Sequence, residues 1–203
     1  MTALLAPPSQ PFAATIEPLG EAVRARITGV SWKADDARCP RCEELAYLTV
    51  SHVTLTGAVG QGELIVAAGL AARAIALFQR LYAIGFPIRQ LRLVDDYGAS
   101  DDASMADDNS SAFNFRTVAG TGVLSKHALG LAIDLNPLEN PWRKPDLIVP
   151  PGGAAFADRR VIRPGMIVRP GPVVAVLDEL GWEWGGDWLH ASDDHHIVWS
   201  RPL

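Results

Sequence analysis

The chain has 203 residues, 48% of them hydrophobic and 20% charged, which excludes wholesale disorder and suits a single domain. Eighteen Lys and Arg against 23 Asp and Glu leave a net charge of −5 with no basic stripe, so no nucleic-acid partner is expected. The 18 glycines and 15 prolines exceed their ordinary share and favour a loop-rich α+β chain over a helical bundle.

In chain order, residues 1–11 hold three prolines and little else, and read as a flexible arm ahead of a folded domain over 12–203. No basic residue precedes Arg24, and the apolar run 3–6 ends at Pro7-Pro8, so no export signal is expected. The longest uncharged apolar stretch runs from Leu64 to Ala72 and stops at Arg73, well short of the ~20 residues that span a bilayer. No membrane insertion is expected.

The two cysteines form Cys39-Pro40-Arg41-Cys42, with no second such pair to complete a zinc site. Incidental thiols, a disulfide or half a metal site, and a redox pair before a short helix at Glu43-Glu44-Leu45 all stay open. Residues 47–55 alternate as a strand, with Leu48, Val50 and His52 on one face. His52 reads there as a hydrogen-bonded structural histidine. Residues 64–84 have helical spacing, with Leu70, Ala74, Leu77, Phe78 and Leu81 on one stripe and Gly85 before Phe86-Pro87 as the stop.

Residues 88–97 read as a strand, and residues 98–111 as a solvated acidic loop without the alternating acids and central glycine of a calcium site. Further on, Pro172 opens a helix that Gly181 closes, and residues 195–199 form a last strand. No internal repeat is visible.

Four of the five histidines fall in two C-terminal clusters. In the first, His127 precedes a strand in which Leu131, Ile133 and Leu135 alternate with Ala132 and Asp134. A turn at Gly130 can curl His127 over the sheet towards Asp134, and the small Ala132 leaves room for an ion. In the second, Trp182-Glu183-Trp184-Gly185-Gly186-Asp187-Trp188-Leu189-His190 is followed by Asp193-Asp194-His195-His196. A catalytic zinc takes three protein ligands and an open position, and needs a carboxylate near its water. His127, Asp134 and one histidine of the second cluster complete that count, with Asp193 as the base. The tryptophans are either core or the walls of a cleft. Asp187 is expected to orient the loop or a ligand histidine rather than to bind metal.

Ser125-x-His127-x-x-Gly130-x-Ala132-x-Asp134, followed by Trp184-Gly185-Gly186-Asp187-Trp188 and Asp193-x-x-His196, resembles the zinc peptidases of bacterial cell walls. That superfamily comprises D-alanyl-D-alanine carboxypeptidases and the L-alanyl-D-glutamate endopeptidases found among phage endolysins. The resemblance implies a Hedgehog/D,D-peptidase-like α+β domain, a small central antiparallel sheet flanked by helices. It implies one zinc ion held by His127, Asp134 and His196. Asp193 takes the place of the carboxylate that activates the attacking water, and Arg116 that of the arginine stabilising the oxyanion.

Ser125, Trp184, Trp188 and His190 are the expected substrate contacts, with Ser125 supporting the loop or the substrate rather than acting as a nucleophile. The implied substrates are peptidoglycan or short D-amino-acid-containing peptides. A zinc-containing binding or signalling module on the same fold is the alternative. The implied location is the cytoplasm, or the wall after release by a partner protein. Adjacent residues of a strand face opposite ways, so only one of His195 and His196 is expected at the ion, and the spacing from Asp193 favours His196.

Overall fold

The computed structural model describes residues 3–203. Its first half is a meander of β1 (Ala14–Pro18), β2 (Leu45–Val53) and β3 (Val59–Ala67), with α1 (Glu21–Ile27) between the first two strands. β2 and β3 pair antiparallel over their full length, from Leu45 opposite Ala67 to Val53 opposite Val59. β1 pairs with the outer edge of β2.

Residues 64–67 were expected to open a helix; they are instead the end of β3. A short run such as Leu64-Ile65-Val66-Ala67 is ambiguous by periodicity alone, and the backbone groups of β2 decide it. The helix proper is α2 (Ala71–Ala83), which follows a single 3-10 turn at Ala68–Leu70. Its stripe of Ala74, Leu77, Phe78 and Leu81 packs on Ala46, Leu48, Val50, Leu64 and Val66 of the sheet. The opposite face places Leu45 and Ile65 against Leu19, Ile27, Cys39, Cys42, Leu93 and Phe113. Covered on both sides, β2 reads as a nearly continuous buried run. Both cysteines are buried free thiols within that second cluster.

Residues 3–11, expected as a flexible arm, lie along the body. Ala3 is buried, its carbonyl accepts from Gly165, Leu5 donates to the Gly85 carbonyl, and Gln10 accepts from the Tyr82 hydroxyl. Gly85 has φ +71°, and a Cβ there would meet the Leu5 carbonyl oxygen at 2.3 Å, so this stop residue also admits the N-terminal segment.

The strand expected over 88–97 shrinks to β4 (Gln90–Leu91), because the chain turns at Val94–Tyr97. Carboxylates hold that turn: Asp95 accepts from the Ser31 amide and hydroxyl at 3.0 and 2.9 Å, and Asp96 pairs with Arg26 and Arg92. The acidic segment expected as a solvated loop is ordered too. It contains α3 (Asp101–Ala106), capped by the Ser100 hydroxyl, and β5 (Asn109–Ser110), which runs parallel to β4. Ser followed by two acids in a first turn is a helix start. Asp108 is buried because it serves the Leu138 amide at 2.8 Å and Arg89 at 2.7 Å.

The second half supplies β6 (Ala132–Asp134), β7 (Trp142–Lys144), β8 (Leu147–Val149), α4 (Pro172–Leu180), β9 (Glu183–Trp184), β10 (Ser192–Asp193) and β11 (His196–Val198). They form two three-stranded antiparallel sheets, ordered β6-β11-β9 and β10-β7-β8. The fold is thus α+β, as expected, with small antiparallel sheets and a few helices. α4 opens at Pro172 and is closed by Gly181 (φ +81°) as the sequence indicated, and is tied to α2 by Arg80 and Glu179 at 2.6 Å. Among the described residues no helix is long and apolar enough to cross a membrane.

His52 is buried on β2 with its ring over Gly60, and its Nδ1 has no hydrogen-bond partner, contrary to the expected hydrogen-bonded histidine. Burial lowers its pKa from 6.5 to about 4. The fold therefore holds the neutral ring. Its contribution is complete above pH 6.5 and is lost as the pH falls towards 4, by roughly 1.4 kcal/mol per unit. Denaturant titrations between pH 7 and 4 should show this slope in the wild type and a flatter profile in His52→Phe; equal slopes would contradict it.

Candidate metal centre

The first ligand segment is a 3-10 turn, His127–Leu129, pinned to the end of β3. Gly130 has φ +66°, its carbonyl accepts from Ala67 at 2.9 Å, and a Cβ on it would lie 2.4 Å from the Ala67 nitrogen. The Ser125 hydroxyl accepts from the His127 amide at 3.2 Å, so Ser125 fixes the turn. His127 Nδ1 is 2.5 Å from the Ala112 carbonyl. A carbonyl only accepts, so Nδ1 carries the proton and Nε2 presents a lone pair.

The other ligands come from one strand pair. β6 and β11 are antiparallel with Asp134 opposite His196 and Ile133 opposite Ile197. Opposed residues share a face: both isoleucines point into the core, completely buried, and Asp134 and His196 point the other way. His196 Nδ1 is 3.0 Å from Asp134 Oδ1 and 3.2 Å from His127 Nε2, and His127 Nε2 is 3.2 Å from Asp134 Oδ2. One ligand atom from each residue lies within 4.8 Å of the others.

The donor chemistry fits a zinc ion. Two imidazole nitrogens and a carboxylate form a normal set, and a tetrahedral ion with bonds near 2.0–2.1 Å has ligand-to-ligand edges of about 3.3 Å. The charges suit a cation as well. Burial disfavours charge on Asp134, yet His127 and His195 outweigh it and hold its pKa well below the carboxylate range. Against the opposing effect of burial, Asp134 raises the pKa of His127, by the same attraction that it would exert on a bound cation.

His195 departs from the expectation that it faces away. It precedes β11, so strand alternation does not govern it, and its ring lies beside the centre. Nδ1 donates to the Asn140 carbonyl at 2.9 Å, while Nε2 is 3.0 Å from Asp193 Oδ1 and 3.9 Å from Asp134 Oδ2. Burial pulls its pKa down, but Asp193 and Asp134 prevail and push it up to about 10. A histidine bridging Asp193 and Asp134 has no local sequence signal.

The Trp-Gly-Gly-Asp-Trp segment closes over these residues. A Cβ on Gly185 would lie 2.6 Å from the Asp193 carbonyl oxygen and 3.2 Å from the His196 Cβ, and one on Gly186 would overlap the Trp184 indole. Trp184 was expected to contact substrate. It is core instead, only 7% exposed, with its N–H donating to the Asp194 carbonyl at 2.8 Å. Trp188 is 44% exposed with its ring 5.3 Å from that of His196, and His190 is exposed in the turn beyond it. Asp187 pairs with Arg169 at 2.8 Å.

Arg116 forms an ion pair with Asp101 on α3, and its charge reaches His127, where it opposes protonation. Asp101 is fixed in turn by the Asn114 side-chain amide at 2.8 Å. Sequence reasoning missed Asp101. It also missed the buried Asp194, which takes Arg143 at 2.8 Å and Arg159 at 3.3 Å and anchors the segment between Asp193 and His196.

Residues 119–199 match the family model described as D-alanyl-D-alanine carboxypeptidase. The matched segment carries His127, Asp134, Asp193 and His196, while Arg116 lies just before it. No curated protein and no solved structure matches the chain. The match supports the cell-wall peptidase superfamily to which the motif spacing pointed, and with it a peptidase.

The geometry separates the neighbouring histidines. Competition with a chelating dye should show that His127→Ala and His196→Ala weaken zinc binding beyond the roughly 10–100-fold lost on removing an outer partner. His195→Ala should stay within that range. Zinc retained by His196→Ala and lost by His195→Ala would place the ligand one residue earlier.

Proposed function

We propose that this protein is a zinc-dependent peptidase that cleaves peptidoglycan stem peptides. The observation that carries the reading is the convergence of His127, Asp134 and His196 within 4.8 Å, with the Asp193 carboxylate one imidazole away. When bound, zinc polarises the scissile carbonyl and lowers the pKa of water towards ~7. The protein's own groups do the rest.

Asp193 accepts the proton of the attacking water and delivers it to the leaving amine. His195 holds that carboxylate in place. Arg116, steadied by Asp101, donates to the oxyanion that develops on the former carbonyl, a charge present only along the reaction path. Trp188 shields the side of the centre next to His196. The wall peptide enters as an extended chain, and a D-alanyl-D-alanine carboxypeptidase or L-alanyl-D-glutamate endopeptidase reaction uses the same groups.

Two sets of variants test these roles. Asp193→Asn should keep zinc and lose about 10²–10⁴-fold in kcat on acyl-D-Ala-D-Ala or L-Ala-γ-D-Glu peptides; undiminished turnover would remove Asp193 as the base. Arg116→Ala should lose about 10²–10³-fold in kcat. If Asp101 acts through Arg116, Asp101→Ala combined with Arg116→Ala should be no slower than Arg116→Ala alone. Additive losses would give Asp101 a separate role.

A further inference from the structure

The sheet that carries Asp193 has two unlike faces. β7 is its middle strand, with Trp142 opposite both Asp193 and Val149, Arg143 opposite Ser192 and Ile148, and Lys144 opposite Leu147. Opposed residues share a face and successive residues alternate. Asp193, Trp142, Val149, Lys144 and Leu147 therefore lie on one face. The other face is spent internally, with Arg143 on Asp194 at 2.8 Å and on the Ser192 hydroxyl at 3.1 Å.

The face bearing the base is left open. Trp142 and Val149 are half-buried, Leu147 is 45% exposed and Lys144 is exposed. The Lys144 ammonium stands 4.4 Å from the centroid of the Trp142 ring, which fixes its direction by a cation–π contact. Among the described residues no carboxylate pairs with it. A chain of net charge −5 thus presents an uncommitted cation, braced on an indole, in the row next to its base.

We infer that this face is the wall along which the substrate lies, and that Lys144 binds a substrate carboxylate adjoining the scissile peptide bond. The inference rests on the peptidase reading and names what that site selects. The spacing is suitable: Lys144 is two residues along the strand from the partner of Asp193, roughly 6–7 Å, and a carboxylate one residue beyond the scissile carbonyl is about one Cα–Cα step of 3.8 Å away. The lysine side chain covers the difference. The apolar Trp142, Val149 and Leu147 supply contact for the peptide's methyl groups.

Two carboxylates of a stem peptide satisfy this chemistry, the C-terminal one and the α-carboxylate of a γ-linked D-Glu. The first arm of the test compares acyl-D-Ala-D-Ala with its C-terminal amide. The second compares L-Ala-γ-D-Glu with the corresponding α-amide. Each pair is measured as kcat/KM in the zinc-loaded wild type, Lys144→Arg and Lys144→Gln, and as Kd by calorimetry in the same proteins carrying Asp193→Asn.

One arm should favour the acid about tenfold, keep that ratio in Lys144→Arg, and fall to near unity in Lys144→Gln; the arm that responds identifies the carboxylate. A ratio that survives Lys144→Gln, or no acid preference in either arm, overturns the subsite. Lys144-dependent binding without hydrolysis of any probe would leave the subsite standing and overturn the peptidase reading.

Discussion

The antiparallel pairing of β6 with β11 is the constraint on which the rest of the centre depends. It sets His196 directly opposite Asp134, residues 62 apart in the chain, and sinks Ile133 and Ile197 into the core on the reverse face. Since side chains alternate with period two, a slip of one residue would turn Asp134 and His196 into the apolar core and bring Ile133 and Ile197 to the polar side. Hydrophobic burial thus fixes the register that places the polar atoms. His127 reaches the same point from outside the strand pair, on a turn that Gly130 lets press against β3.

Charge is managed with equal economy. Asp134 is buried between His127, His195 and His196, so its carboxylate stays ionised where burial alone would neutralise it. Asp194, two residues before His196, is buried against Arg143 and Arg159. A buried carboxylate stripped of its partners costs several kcal/mol, which makes the segment from Asp193 to His196 adopt one conformation. Asp193 and His196 are then held by the same short stretch, and Gly185 allows it to pack closely.

Much of the centre was legible because it depends on local spacing. The Ser125–Asp134 motif, the Asp193-x-x-His196 pair and the α2 stripe from Leu70 to Leu81 are patterns of turn, strand and helix that survive in one dimension. What failed depends on distant partners. Residues 64–67 of β3 read as helix until β2 is beside them, and the acidic run over 101–108 reads as solvated until Arg89, Arg116 and the Leu138 amide claim its carboxylates. His195 was assigned the far side by strand alternation, a rule that does not apply one residue outside the strand. Whether Trp184 is core or a cleft wall stays open in one dimension, because exposure of an aromatic is not written in its spacing.

His127, Asp134 and His196 converge, from a turn and two paired strands, on one point where a metal ion would sit. The most direct measurement is the metal content of the purified protein by elemental analysis, before chelation, after it, and after zinc is returned. One zinc per chain, removed by chelation and regained stoichiometrically, is the predicted result. A protein that holds no zinc and regains none would contradict the account, and would leave His127, Asp134 and His196 as a buried hydrogen-bonded cluster.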